Sequence, residues 1–310
     1  MVGHYPVMLQ EVIDALALEN KQAVVDGTFG GGGYTRAILE SSKANVYAID
    51  RDPEAIVRSK VIADEFGDRF SISENTFSRI EDVLDEKGIE SVDGIVFDIG
   101  VSSFQLDIAE RGFSFMQDGP LDMRMSKDGI TAKQVLEEYE EEQLAIIFKE
   151  YGEERHSRLL ARKIKEEIAL GVEFNTTLQL ANFIDRVIKG KKKIHPATRI
   201  FQALRIEVNQ ELEELKDAID SSLKLLNVGG RLVIVSFHSL EDRIVKEKFI
   251  EVAGKRKHKN KYAKEETVVS TDGKPVYQNL TAKVLVPSED EVKENVRSRS
   301  AKMRIIERIA

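Results

Sequence analysis

Short apolar runs separated by longer stretches of helical period set the pattern of this chain. Ala23–Asp26, Asn45–Asp50, Phe70–Glu74 and Gly94–Asp98 read as strands, the last nearly all apolar, as expected of a central parallel strand covered on both faces. Helices are predicted over about Leu9–Leu18, from Thr35 to Ser41, and after Asp52, where Pro53 suits a first turn. Strands alternating with helices imply a parallel sheet with right-handed crossovers. In such sheets ligands sit outside the carboxyl ends of the strands. Asp26, Asp50, Phe77 and Asp98 all fall at those ends.

After Asp98 the rhythm breaks. Residues 99–125 are polar and glycine-punctuated, a length of loop that is usually functional or disordered, and Phe104, Phe113, Phe115 and three methionines argue against disorder. Thr131 and Gln134 match a capping box, and the pattern stays helical from there to Gly190. Pro196 opens a helix with an apolar side at Ile200, Leu204, Val208, Leu212 and Leu215, and a polar stripe through Arg199, Gln202, Ile206 and Asn209. That stripe is either a binding face or a salt-bridged surface. Leu232–Ser236 is a second buried strand, and Ser239 with Asp242 is expected to cap a helix over Leu240–Val252. Thr281–Val286 and Ala301–Ile309 read as further strands, with a basic loop at Arg297–Ser300 between them. His238 stands at the ligand edge of the sheet, although a lone loop histidine more often has no ligand role.

The stretch from Val24 to Thr35 carries the chemistry. A β-branched run ends at Asp26, and five of the next seven residues are glycine. Glycine lets the backbone turn with positive φ and lets a ligand approach main-chain N–H groups, while the following helix points its positive end at the same spot. No register of the loop supplies G-x-G-x-x-G, and it closes on Gly-Tyr-Thr rather than Gly-Lys-Ser. An acid opening the loop repels a pyrophosphate and suits a ligand with a positive end, such as S-adenosylmethionine. Asp50, ending the next strand, is placed for ribose hydroxyls. The plain alternative is a tight turn without a ligand.

Composition narrows the chemistry further. At 310 residues the chain is long for one compact domain. It has no cysteine, which excludes disulfides, thiolate metal sites, cysteine-ligated iron–sulfur clusters and a cysteine nucleophile adding to a pyrimidine ring. Five scattered histidines give no metal-ligand spacing. Met1–Leu16 lacks a signal-peptide pattern, and no apolar run approaches membrane-spanning length, so a cytoplasmic protein is expected. The net charge is −8, yet Arg186–Ile206 holds seven Lys/Arg and no acid, and Val252–Lys264 holds six and no acid. These stretches bind phosphate locally or are solvated loops; charge alone leaves both open.

Eight blocks together resemble the bacterial small-subunit ribosomal RNA cytosine-N4 methyltransferase family, known as RsmH or MraW. They are His4–Met8, Asp26–Gly33, Asp98–Ser103 with Gln105–Asp107, Arg111–Phe115, Asp118–Met125, His195–Asn209, Ser236–Arg243 and Arg297–Arg304. The resemblance implies an α/β, class I S-adenosylmethionine-dependent methyltransferase fold: a Rossmann-like, mostly parallel sheet with an inserted helical domain. The expected core is 1–106 with 200–310, and the expected insertion, an RNA-recognition domain, is 107–199. It further implies cofactor contacts at Gly32, Gly33, Tyr34, Asp50, Phe77, Asp98 and Gln105, with Tyr34 standing where histidine is usual. The implied target is the decoding-centre cytosine of 16S rRNA in the small ribosomal subunit. Asp98 is the best-placed acceptor for the amine, and a purely cofactor-binding role is an equal alternative. Expected RNA contacts are Lys191, Lys192, Lys193, Arg199, Lys255, Arg256, Lys257, Arg297 and Arg299. A small-molecule methyltransferase would leave the basic stretches idle, and a non-catalytic assembly factor would tolerate a damaged cradle. Neither a metal nor a membrane is implied, and monomer and homodimer stay equally open.

Overall fold

A computed structural model describes residues 6–188, 195–254 and 275–310. Its elements follow the chain as α1 (Leu9–Leu16), β1 (Ala23–Asp26), α2 (Gly33–Ser41), β2 (Asn45–Asp50), α3 (Pro53–Phe66), β3 (Phe70–Glu74), α4 (Ile80–Asp85) and β4 (Val92–Asp98). Next come α5 (Ser103–Asp107), α6 (Ala132–Glu138), α7 (Glu141–Glu150), α8 (Ser157–Ala169), α9 (Thr177–Val187), α10 (Ala197–Asn209) and α11 (Glu211–Leu225). The chain closes with β5 (Leu226–Ser236), α12 (Ser239–Val252), β6 (Tyr277–Asn279), α13 (Glu289–Glu294) and β7 (Lys302–Arg308).

Two compact units result: residues 1–100 with 212–310, and residues 101–211. The first holds a seven-stranded sheet in the order β3-β2-β1-β4-β5-β7-β6. Its first five strands are parallel, and β7 runs antiparallel to β5 and to β6. This is the class I methyltransferase sheet. Successive side chains of the buried strands go to opposite faces. Val24, Val46, Val96, Val233 and Val235 pack under α1, α2 and α3. Val25, Ile49, Ile95, Phe97, Leu232 and Ile234 pack with α4, α11 and α12. Burial on both faces is why these strands are continuous apolar runs.

The second unit is helical. Leu144, Phe148, Leu160, Ile164, Leu180 and Ile184 form its core together with Ile200, Phe201 and Leu204 of α10. The unit therefore begins at 101 and ends at 211, not at 107 and 199, because α10 buries its apolar side among these helices. Thr131 and Gln134 make the expected capping box of α6.

Three local expectations are corrected. The helix opened by Pro196 does not run on to Leu215: Gln210 takes a left-handed φ of 53° and separates α10 from α11. The break is held by Arg205, whose guanidinium donates two bonds (2.8 and 2.9 Å) to the Glu211 carboxylate. Asn209, expected on a polar stripe, is buried and clamps the 111–130 loop, accepting from Met125 N–H and donating to Met123 O, each at 2.8 Å. The edge strand is Tyr277–Asn279 rather than Thr281–Val286, where mostly exposed side chains offer no apolar face and only Leu285 bridges to Met303.

Among the described residues no helix is long and apolar enough to cross a membrane.

Candidate cofactor site

The glycine loop is pinned between the strands on either side of β1. Gly27 N–H donates to Val96 O and Phe29 N–H to Ile49 O, both at 3.0 Å, so the loop is tied to β4 and β2 at once. Gly32 sits at φ +77°, where a Cβ would also meet the Phe29 ring at 2.7 Å and Ile62 Cδ1 at 2.5 Å. A Cβ on Gly33 would lie 2.1 Å from Pro6 Cγ. Only glycine satisfies both the conformation and the space at Gly32.

Three strand-end acids surround this loop. Asp26 is fully buried; its carboxylate accepts from Thr35 Oγ1 (2.7 Å) and Thr28 N–H (3.2 Å), and burial pushes its pKa up to about 6. Asp50 accepts from Gly30 N–H (2.7 Å) and Asp52 N–H (2.8 Å), one on each oxygen, so it shapes the loop itself. Each of those oxygens retains a second lone pair for a hydroxyl donor. Asp98 N–H donates to Thr28 Oγ1 at 2.6 Å, while its Oδ1 is buried with no hydrogen-bond partner. Burial, and then the charges of Asp26 and Glu241, push Asp98 up to about 8. Phe77 packs on Phe97 with ring centroids 5.4 Å apart, beside Gly27.

Buried acids without a counter-charge resist ionisation, and a cation beside them would favour their charged form. The orphaned Asp98 oxygen needs a donor, and leaving such a group unmade is costly.

Over residues 1–309 the chain matches the family model described as "MraW methylase family". The chain belongs to the MraW methylase family. Within it, the "Ribosomal RNA small subunit methyltransferase H" of Parvibaculum lavamentivorans is 48% identical over 309 residues, covering 99% of this chain and 90% of that protein. The Rhodospirillum rubrum protein of the same name is 46% identical over 310 residues, covering 99% and 95%. As an MraW methylase, the chain carries its glycine loop and its acids on the sheet just described.

Other expected residues distribute as follows. Tyr34 is buried, and its hydroxyl donates to the Val7 carbonyl, so its side chain is engaged within the fold. Burial and the charges of Asp98 and Asp26 hold its phenol well above the ordinary range. Gln105 lies in the second unit, where it completes the capping box of α5 with Ser102. Arg199 is half exposed on α10, and Arg297 and Arg299 are exposed in a 3₁₀ turn at Val296–Ser300. Lys191–Lys193 and Lys255–Lys257 lie outside the described residues.

Glu241 was missed. It is fully buried and accepts from Phe237 N–H (2.8 Å) and His238 N–H (3.2 Å), while His238 Nε2 lies 2.9 Å from its other oxygen. The capping box of α12 is thus His238 with Glu241, one residue before the expected Ser239 with Asp242. Asp242 instead pairs with Arg304 at 2.7 Å. The H-x-x-E spacing held the signal, but histidine is not among the common N-cap residues.

Proposed function

We propose that this protein transfers a methyl group from S-adenosylmethionine to N4 of the decoding-centre cytosine of 16S rRNA in the small ribosomal subunit, in the cytoplasm. The observation that carries the reading is the buried, unpartnered Asp98 oxygen beside a glycine loop opened by a second buried acid, Asp26. When bound, S-adenosylmethionine supplies a methyl group activated on a sulfonium, together with an ammonium. Gly32, Gly33 and the Tyr34 main chain would line its approach, Asp50 would accept its ribose hydroxyls, and Phe77 would cover its base. Asp26 and Asp98 would hold its positive end.

The exocyclic amine of cytosine is a weak nucleophile because its lone pair is conjugated into the ring. Methylation leaves positive charge and a surplus proton on that nitrogen. An ionised Asp98 at the end of the central strand would draw that charge and take that proton. A cation in the pocket brings Asp98 into the ionised state by lowering its pKa. The chain has no cysteine for the covalent adduct that ring-carbon methylation uses, which favours transfer to nitrogen or oxygen.

RNA is proposed to be held by the helical unit, 101–211, through Lys191–Lys193 and Arg199, with Lys255–Lys257, Arg297 and Arg299 adding phosphate contacts. The test is transfer of labelled methyl groups to unmodified small subunits, naked 16S rRNA, transfer RNA and small amines. Labelling of the ribosomal substrates alone supports the reading; preferential labelling of small amines overturns it.

A further inference from the structure

We propose that Phe115 and His195 form a stacking platform for an unpaired RNA base on the helical unit. The inference rests on the rRNA-methyltransferase reading above and names a contact beyond it. Phe113 and Phe115 leave the same loop differently: Phe113 is buried in the core, whereas Phe115 is half-buried. The Phe115 ring stands edge-on to the buried Phe201, centroids 4.8 Å apart at 70°, so it is braced from behind. The exposed His195 ring packs on it too, 4.8 Å away and tilted by 40°.

His195 is itself fixed. Its Nδ1 accepts the Ala197 amide at 3.2 Å, so the neutral ring carries its hydrogen on Nε2. A pre-positioned aromatic ring loses little freedom when a base stacks on it, and every base offers a π-face.

Cations flank the pair. Arg199 lies one turn along α10; its guanidinium donates to Glu153 O at 3.1 Å and reaches the buried Glu154 at 3.8 Å, with its side chain half exposed. Gly152 allows this approach, since a Cβ there would stand 2.6 Å from Arg199 O. Arg155 and Arg158, which follow Glu154 closely in the chain, are exposed as well. Aromatic faces bordered by arginines are what single-stranded RNA binds through stacking and phosphate contact.

A ring that merely caps α10 would show the same bond to Ala197, so the test must read stacking. Fluorescein-labelled single-stranded and duplex RNA of the decoding-centre sequence are titrated with the full chain, as wild type, His195→Ala and His195→Phe, each checked for an unchanged melting temperature. His195→Ala is expected to weaken single-strand binding about tenfold, His195→Phe to stay within about twofold of wild type, and duplex binding to stay unchanged. Wild-type affinity in His195→Ala overturns the platform. So does equal weakness in His195→Phe, equal loss on duplex RNA, or no single-strand binding by the wild type. Methyl transfer to small subunits separates the two readings. An active wild type with an unchanged KM in His195→Ala sinks the platform alone, whereas an inactive wild type sinks the proposed function.

Discussion

If Asp98 receives the positive end of S-adenosylmethionine as proposed, binding should expel a proton, because burial holds Asp98 protonated in the free protein. Burial and two neighbouring carboxylates push Asp98 up to about 8, so at pH 7 roughly nine molecules in ten hold the proton. A bound cation favours the carboxylate and drives the proton off. Observed affinity should then fall about fivefold from pH 8 to 7 and about 25-fold from pH 8.5 to 6.5, with close to one proton released per ligand at pH 7. Asp26, raised to about 6, adds a second linked proton only near the acid end. Titration calorimetry across that range, in buffers of different ionisation heat, measures both quantities. Adenosine, which lacks the ammonium and the sulfonium, should bind without releasing a proton, and Asp98→Asn should bind S-adenosylmethionine with little pH dependence. Stability of the ligand-free protein runs the other way with pH. The folded pKa lies above the unfolded value of 3.8, so the unfolded chain sheds its proton first and the ligand-free protein loses stability as pH rises from about 4 to 8. At saturating cofactor and RNA, Asp98→Asn should also lower turnover on the order of a hundredfold if the carboxylate meets the developing charge. Wild-type affinity independent of pH, with no proton released, would refute the reasoning.

Asp50→Ala should weaken cofactor affinity and also cost about 1–3 kcal/mol of stability in denaturant titrations, because the Gly30 and Asp52 amides lose their acceptor; an unchanged midpoint would show that the carboxylate does not hold the loop. Gly32→Ala combines a left-handed φ with a clash on Phe29 and should lower both melting temperature and cofactor affinity. Gly88→Ala, with φ +69° just beyond α4 and nothing within 4 Å, should cost only about 1 kcal/mol and leave binding intact; equal effects would remove the clash from the explanation. Asn209→Ala strips the clamp on Met123 and Met125 and should destabilise by about 2–3 kcal/mol, read as faster amide exchange over residues 111–130.

Strands buried on both faces were the most legible part of the chain. Ala23–Asp26 and Asn45–Asp50 lie where their apolar runs predict, with Asp26 and Asp50 at the carboxyl ends; the edge strand Phe70–Glu74, only partly buried, is legible from its alternation instead. The break at Gln210 was invisible, because the apolar spacing from Ile200 to Leu215 runs straight through it and the residue is not glycine. Tertiary bonds from Arg205 and Asn209 impose it. Tyr34 shows another limit: its place after the glycines reads as a ligand contact, while its side chain ties α2 to Val7. Asp50 was legible as a strand-end acid, but its bonds to the Gly30 and Asp52 amides exist only once the loop has folded. The H-x-x-E cap was hidden by the neighbouring S-x-x-D, which obeys the commoner rule while Asp242 is taken by Arg304.

The central claim is the site of methylation. Unmodified small subunits should be incubated with this protein and isotopically labelled S-adenosylmethionine, the 16S rRNA digested to nucleosides, and the label located by mass spectrometry. The account predicts label in N4-methylcytidine, from a fragment containing the decoding centre, and none of it after Asp98→Ala. Label in a ring-carbon-methylated pyrimidine, or in a fragment remote from the decoding centre, would contradict it.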